Sequence, residues 1–420
     1  MLNHVGRLAA GSIFCLVLSL NARCGTPLGG GGGGGTDPSF TVVKTDIPVR
    51  FDAGIKAGDD LIAFGTGLTT GVSSILPSTS PKTGTPVTNS SSFVSGDFAV
   101  GSRTIFLVGA AFSATPFQVS VFDVNTAQIT RTFPASDIRV AIIPISARNV
   151  GNIQADGSLC VVICSETQVS DGKIIKVVDV STATPGVISF AVNPAATANE
   201  VQQVAVNAST RQVVAVANNT IFIYDVNNPN ASPFQIPVAN GVSAVQMKSR
   251  GIWLIAIDSS SQPSAFLVNL STRTPVPLPN SAAALAVSIS DTRFGFFANF
   301  DLNDVSGVTQ RAAVGTIPGP AFEKASLNRF IDGTSLLNGL VGFANAISIT
   351  PDGRFAFLAG PYLQFSQANA SFTVLPDPAK SDPFGTPAFD IAASSNTVGF
   401  KTSALATDSV NTTIGYIILP

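Results

Sequence analysis

From residue 39 to the end of the chain one pattern recurs: an alternating apolar run meets a tight polar turn, and a more strongly apolar run follows. The fullest copy is Ala346-Ile347-Ser348-Ile349-Thr350-Pro351-Asp352-Gly353-Arg354-Phe355-Ala356-Phe357-Leu358-Ala359. Proline presets φ for the first turn position, Asp supplies a side-chain acceptor, and Gly tolerates positive φ. Related copies surround Thr210-Arg211-Gln212 and Asp291-Thr292-Arg293, and looser ones bring the turn anchors to Asp60, Thr104, Ser158, Gln212, Gly251, Phe294, Phe355 and Thr397. The intervals are 44, 54, 54, 39, 43, 61 and 42 residues. Short Val-, Ile- and Phe-rich runs bounded by Gly, Pro, Asn, Asp and Ser read as strands and turns. A unit of this size cannot bury its apolar faces alone and must stack on its neighbours.

A second piece ends the third strand of several units: Val121-Phe122-Asp123-Val124-Asn125-Thr126, Val177-Val178-Asp179-Val180-Ser181-Thr182, Ile223-Tyr224-Asp225-Val226-Asn227-Asn228 and Leu267-Val268-Asn269-Leu270-Ser271-Thr272. Asp or Asn at such a place accepts turn amide hydrogens, which explains the repeated acids without a carboxylate ring. A fourth strand can follow, as at residues 128–133 and 187–192. With the Pro351-Asp352-Gly353-Arg354 turn, these pieces resemble bacterial YVTN-type and WD-repeat-like β-propellers over most of residues 39–420, although the only tryptophan is Trp253. The resemblance implies an all-β fold: a single propeller of seven or eight four-stranded blades, eight by repeat count. The last unit supplies three strands of its own, so the early strand Ser39-Phe40-Thr41-Val42-Val43 is expected to pair into it and close the ring, removing an exposed edge. Two β-sandwiches in tandem are the alternative fold, and residues 323–340 are expected to hold one or two turns of helix.

Residues 1–23 carry an apolar run, 8–20, of the length of a secretory h-region and short for a bilayer span. Cys24 and an unbroken glycine tract, 29–35, follow; residues 24–38 read as a flexible tether. Together they resemble a bacterial lipoprotein leader, which implies lipidation of Cys24 and a membrane-tethered, extracytoplasmic protein in the periplasm or at the cell surface. The match departs at Leu20 and Arg23, which sit where the family's motif differs, so ordinary cleavage after Ala22 stays open.

The absences narrow the chemistry. The only histidine is His4, within the leader. A mature chain beginning after it would have no Ser-His-Asp triad, histidine base or His-ligated metal. The formal net charge of −2 argues against nucleic acid as a partner. Cys160 and Cys164 lie four apart on one strand face, about 13 Å, too far for a disulfide to each other; both read as buried small apolar residues.

Candidate sites are few. Gly65-Thr66-Gly67-Leu68-Thr69-Thr70-Gly71 has the wrong spacing for a dinucleotide loop and reads as a turn. Asp301, Asn303 and Asp304 crowd oxygen ligands into a short segment that could take Ca²⁺, but the pattern does not match an EF-hand; the default reading is a solvated loop and no cofactor is expected. The longest interval, Phe294 to Phe355, holds Arg311, Lys324, Arg329 and Asp332, a concentration of charge in a chain only 11% charged; it reads either as a tolerated surface insertion or as a candidate binding loop. Asn-X-Ser/Thr triplets occur at Asn89, Asn207, Asn218, Asn269, Asn369 and Asn411. The leading expectation is a monomeric, non-catalytic binding or scaffold module for a protein or glycan. A histidine-independent propeller enzyme (lactonase, lyase or quinoprotein type) and a structural cell-envelope component are the alternatives.

Overall fold

The computed structural model describes residues 40–420 except 50–53, 68–70, 79–83, 87–92, 99–103, 110–117, 124, 127, 135–152, 165–173, 182–185, 193–200, 218, 248–252, 262, 279–280, 282–283, 299–308, 318–325, 335–346, 361–362, 368–371, 376–387, 389 and 404–411. Every regular element among the described residues is a strand, and the strands form eight four-stranded antiparallel sheets. An N-terminal strand, β1 (Thr41–Pro48), precedes the first of them.

Sheet I is β2 (Ile55–Gly58), β3 (Leu61–Gly67), β4 (Gly71–Ile75) and β5 (Thr85–Pro86); sheet II is β6 (Phe93–Phe98), β7 (Thr104–Gly109), β8 (Gln118–Asp123) and β9 (Gln128–Pro134). Sheet III is β10 (Ile153–Asp156), β11 (Leu159–Cys164), β12 (Ile174–Asp179) and β13 (Gly186–Ala191); sheet IV is β14 (Val201–Asn207), β15 (Gln212–Ala217), β16 (Thr220–Asp225) and β17 (Phe234–Pro237). Sheet V is β18 (Val242–Met247), β19 (Trp253–Asp258), β20 (Ala265–Asn269) and β21 (Thr274–Pro277); sheet VI is β22 (Ala284–Ile289), β23 (Arg293–Ala298), β24 (Thr309–Thr316) and β25 (Ser326–Thr334). Sheet VII is β26 (Ile347–Ile349), β27 (Phe355–Leu358), β28 (Gln364–Gln367) and β29 (Thr373–Val374). Sheet VIII takes β30 (Asp390–Ala393), β31 (Thr397–Ser403) and β32 (Thr412–Ile418) from the end of the chain and β1 from its start, with Thr41 opposite Ile418 and Val43 opposite Tyr416.

Each sheet is a meander with apolar side chains on both faces, which is why its inner strands read as nearly continuous apolar runs. In β15, Val213, Ala215 and Ala217 pack toward sheet III, while Val214 and Val216 pack toward sheet V. Shared cores of the same kind join V to VI, VI to VII and VII to VIII. Val49, Ile55, Ile62, Phe64 and Ile75 of the first unit pack with Ile414 and Tyr416 of sheet VIII. The stacking of four-stranded meanders face on face makes the fold propeller-like.

Edge protection is written into the outer strands. All prolines that fall within strands (Pro48, Pro86, Pro134, Pro237, Pro275 and Pro277) lie in β1, β5, β9, β17 and β21, each at the edge of its sheet. Proline removes an amide donor and is tolerated only where no neighbour needs it, so these edges resist pairing with another chain.

The expected helical turns are not formed within residues 326–334: Ser326–Thr334 is the long outer strand β25, paired along β24. Its partner strand outweighs any local helical tendency, because the pairing satisfies its backbone groups.

Candidate functional site

In a meander the turns from first to second and third to fourth strands share one end of the sheet, here called the turn end. The turns from second to third strand and the links to the next sheet share the other, the connection end. At the turn end no strand-to-strand segment exceeds nine residues, whereas the connection end carries 299–308, 335–346, 375–389 and 135–152, ten to eighteen residues each.

The turn end is cross-linked between sheets. Within single turns, Asp123, Asp179, Asp225 and Asn269 each accept the amide hydrogen two residues on, at 2.8–2.9 Å, as their repeated position implies. Across III and IV, the Asp156 carboxylate accepts the Ala208 amide at 2.7 Å. Arg211, held at φ 53°, donates to Asp179 at 2.5 Å and to Asn227 at 2.6 Å. Arg273, at φ 59°, places its guanidinium over the Phe234 ring, joining V to IV. Arg293 is buried and donates to the Gly353 carbonyl at 3.1 Å, while Thr292 donates to the Asp352 carbonyl at 3.3 Å, joining VI to VII. Arg354 donates to the Ser395 carbonyl at 3.5 Å, and Asn396 accepts the Asp60 amide at 2.9 Å, joining VII to VIII and VIII to I. Gly353 takes φ 73°, the conformation its turn requires.

The first strands add a second set of ties. Ser288 accepts the Ile349 amide and Ser348 accepts the Ala393 amide, both at 3.0 Å, so a serine in one first strand holds the first strand of the next sheet. At the connection end of sheet VIII, Lys401 and Asp390 form a buried ion pair at 3.4 Å.

These groups were only partly visible beforehand. An arginine directly before an apolar strand recurs in Thr210-Arg211-Gln212, Thr292-Arg293-Phe294 and Gly353-Arg354-Phe355. That signal was present, but its reach to a neighbouring sheet was not. Ser288, Ser348, Lys401 and Asp390 carry no such local signature.

The sequence-derived candidates fare differently. Cys24, Asp301, Asn303, Asp304 and Lys324 lie outside the described residues. Arg311, Arg329 and Asp332 do not share a loop: Arg311 lies in β24 opposite Asp332 of β25, and Arg329 stands opposite Val314. Eight and nine residues of the long interval form the strands β24 and β25 that carry them. Among the described residues no group of three His, Cys, Asp or Glu is placed to hold a metal ion. Cys160 is buried, and Asn207 and Asn269 are buried turn caps, so neither asparagine offers its amide for glycosylation.

Burial pulls the Asp179 carboxyl upward, but hydrogen bonds from Arg211 and Ser181 and the adjacent guanidinium charge outweigh it and hold it below the ordinary carboxylate value. A depressed folded pKa contributes stability above the unfolded value of about 3.9, and that contribution is lost as pH falls through the folded pKa. Asp179→Asn is therefore expected to lower stability at neutral pH by about 1–3 kcal/mol and to flatten the acid limb below about pH 4, read from urea unfolding across a pH series. Arg354–Asp352 has the same N···O distance, 2.5 Å, but its side chains are 51% and 39% exposed, so salt screens it and its loss costs under about 1 kcal/mol.

The arrangement defines a class: an all-β repeat protein with a propeller-like fold, its sheets tied through short turns at one end and its longest connections leaving from the other. No protein-family model matches the sequence, and no curated protein matches it. Among solved structures it is similar to a chain of the "Crystal Structure of Mitotic Checkpoint Complex" (15% identity, 86% of this chain and 98% of that one, TM-score 0.48). It is also similar to the RRP9 WD40 repeats (10%, 90% and 100%, TM-score 0.46) and to the Cps50 (Swd1) β-propeller domain of Myceliophteria thermophila (9%, 78% and 97%, TM-score 0.47). At such identities and TM-scores the likeness transfers no residue role.

Proposed function

We propose that the chain is a non-catalytic binding module for a protein partner, exported and tethered to a membrane through Cys24, with the connection end as its docking face. The observation that carries this reading is the division of labour between the ends. Rigid scaffolds commonly carry recognition on their longer loops, and here the longest connections share one end of tied sheets. The eight sheets are read as the blades of one ring that β1 closes; the pairing of β1 with β32 and the packing of Ile55 and Ile62 against Tyr416 support this. A protein is favoured over a glycan because, among the described residues, the Trp and Tyr side chains (Trp253, Tyr224 and Tyr416) are all buried; Tyr362 lies outside them. Amphipathic rings of this kind serve binding surfaces when they are exposed, and sugar faces stack on them.

The test places a photo-crosslinking residue at Asn240, exposed at the connection end, or at Asn230, exposed at the turn end, in the producing cell. A discrete protein adduct from position 240 and none from 230 is expected. Adducts only from 230, or robust lactonase, lyase or dehydrogenase turnover by the purified chain, would overturn the reading. The tether is tested separately: Cys24→Ser is expected to release the protein from membranes, and unchanged membrane association refutes lipid anchoring.

A further inference from the structure

The last strand of each meander, and β1 in sheet VIII, forms a sheet edge. Proline, charge or extreme shortness on such an edge discourages pairing with another strand. β1, β5, β9, β17 and β21 each contain proline, β25 carries Arg329 and Asp332, and β29 is only two residues long. β13, the edge of sheet III, has none of these devices. It reads Gly186-Val187-Ile188-Ser189-Phe190-Ala191, without proline or charge, and its β-branched and aromatic residues suit a strand. β12 pairs along its whole inner side, from Gly186 opposite Asp179 to Ala191 opposite Ile174. Among the described residues no backbone hydrogen bond reaches its outer side. Gly186, Val187 and Ser189 are exposed, and Val187, at 41%, is one of three large apolar side chains so open among the described residues.

We propose that β13 is a self-association edge: two copies of this chain join antiparallel along it, about a two-fold axis, and extend sheet III from one copy into the other. A second copy is the occupant because the strand is neutral throughout. A two-fold brings each edge residue close to its own counterpart, so a charge there would meet a like charge. The side chains choose the register. Directly opposed residues of an antiparallel pair share a face, so the axis passes beside one residue rather than between two. Centring it on Ser189 sets that hydroxyl against the partner's Ser189, Ile188 against the partner's Phe190 and Val187 against the partner's Ala191. Apolar side chains then meet on both faces. Centring it on Ile188 would oppose Val187 to the partner's Ser189 and Phe190 to the partner's Gly186, a poorer match. Isologous pairing uses up the edge of both copies, so assembly stops at two. Six residues a side cover less than the standard interface of about 1,600 Å². The dimer is therefore weak, in the micromolar range, and the monomer expected from the sequence is its dilute form. The association needs neither the tether nor the protein partner proposed above.

Sedimentation velocity of the purified chain across a concentration series tests this. Reversible dimers are expected, and a chain still monomeric at about 500 μM, well above the expected range, overturns the proposal; a β13 that takes only a foreign strand gives that same result. Ser189→Lys and Ser189→Asp each set like charges across the axis and are expected to raise the dissociation constant at least about tenfold. An equimolar mixture of the two variants should restore dimers, because opposite charges then meet. Ser189 is exposed, so the dilute variants should melt as the parent does. Dimers that persist in both single variants, a mixture that fails to recover them, or growth past two copies overturns the pairing. Amide hydrogen exchange of the parent needs no substitution: exchange over residues 186–191 should slow as concentration rises, and dimers that leave it unchanged refute the edge.

Discussion

Placing a methyl group on Gly415 is expected to destabilise the fold, although alanine ordinarily improves a strand. Gly415 lies in β32 opposite Phe400 of β31 and Lys44 of β1. The Phe400 ring lies across the position a Cβ would take, and Phe400 has no exposed surface. Alanine is ordinarily better than glycine in a strand by about 0.5–1 kcal/mol. Here the clash decides the sign, because a packed aromatic cannot yield without displacing Phe355, Val398 and Ile417 in the same core. Gly415→Ala should cost about 1–3 kcal/mol and Gly415→Val more. Phe400→Ala alone should cost about 3–5 kcal/mol through the cavity it leaves. In the double variant Gly415→Ala with Phe400→Leu the two losses should fall short of their sum, since the smaller side chain vacates the contested space. Guanidinium denaturation midpoints of the parent, Gly415→Ala, Phe400→Leu and the double variant decide the matter; additive losses would show that the ring is not what Gly415 accommodates.

Loss of β1 should have the largest effect of all. Removing residues 40–48 strips the edge of β32 and takes Phe40 and Val42 from one core and Val43 and Ile47 from another. It also removes the Thr45 hydroxyl that donates to the Ile414 carbonyl at 2.7 Å. The exposed strand would then carry unpaired backbone groups beside apolar Ile414, Ile417 and Ile418, a template for aggregation. The truncated chain is expected to aggregate on purification, and Phe40→Ala alone to lose about 2 kcal/mol, a partly buried share of the usual Phe-to-Ala cost. Adding a peptide of residues 40–49 in trans should restore the cooperative melt, as strand complementation allows. A truncated chain that stays monomeric with an unchanged melting temperature would show that β1 does not close the fold.

Much of the architecture was legible because strand chemistry is local. The turn anchors at Asp60, Ser158, Gln212, Phe294, Phe355 and Thr397 each fall at or within one residue of the start of a second strand. Asp123, Asp179, Asp225 and Asn269 cap turns as their repeated position implies. Residues 326–334 were misread because a short segment between charged residues has no period of its own; pairing with β24 decides its state. The same hairpin took Arg311, Arg329 and Asp332 out of a loop.

The repeating unit is written locally: alternation and the Asp-Gly and Asn turns act within a few residues, so a single chain read in order reveals them. Only the tertiary structure decided which ends of the strands lie together and which sheet Arg211, Arg293 and Arg354 reach. Those facts depend on strand direction summed around the stack and on pairings such as Thr41 with Ile418, whose partners are separated by nearly the whole chain and carry no mark of each other in the sequence.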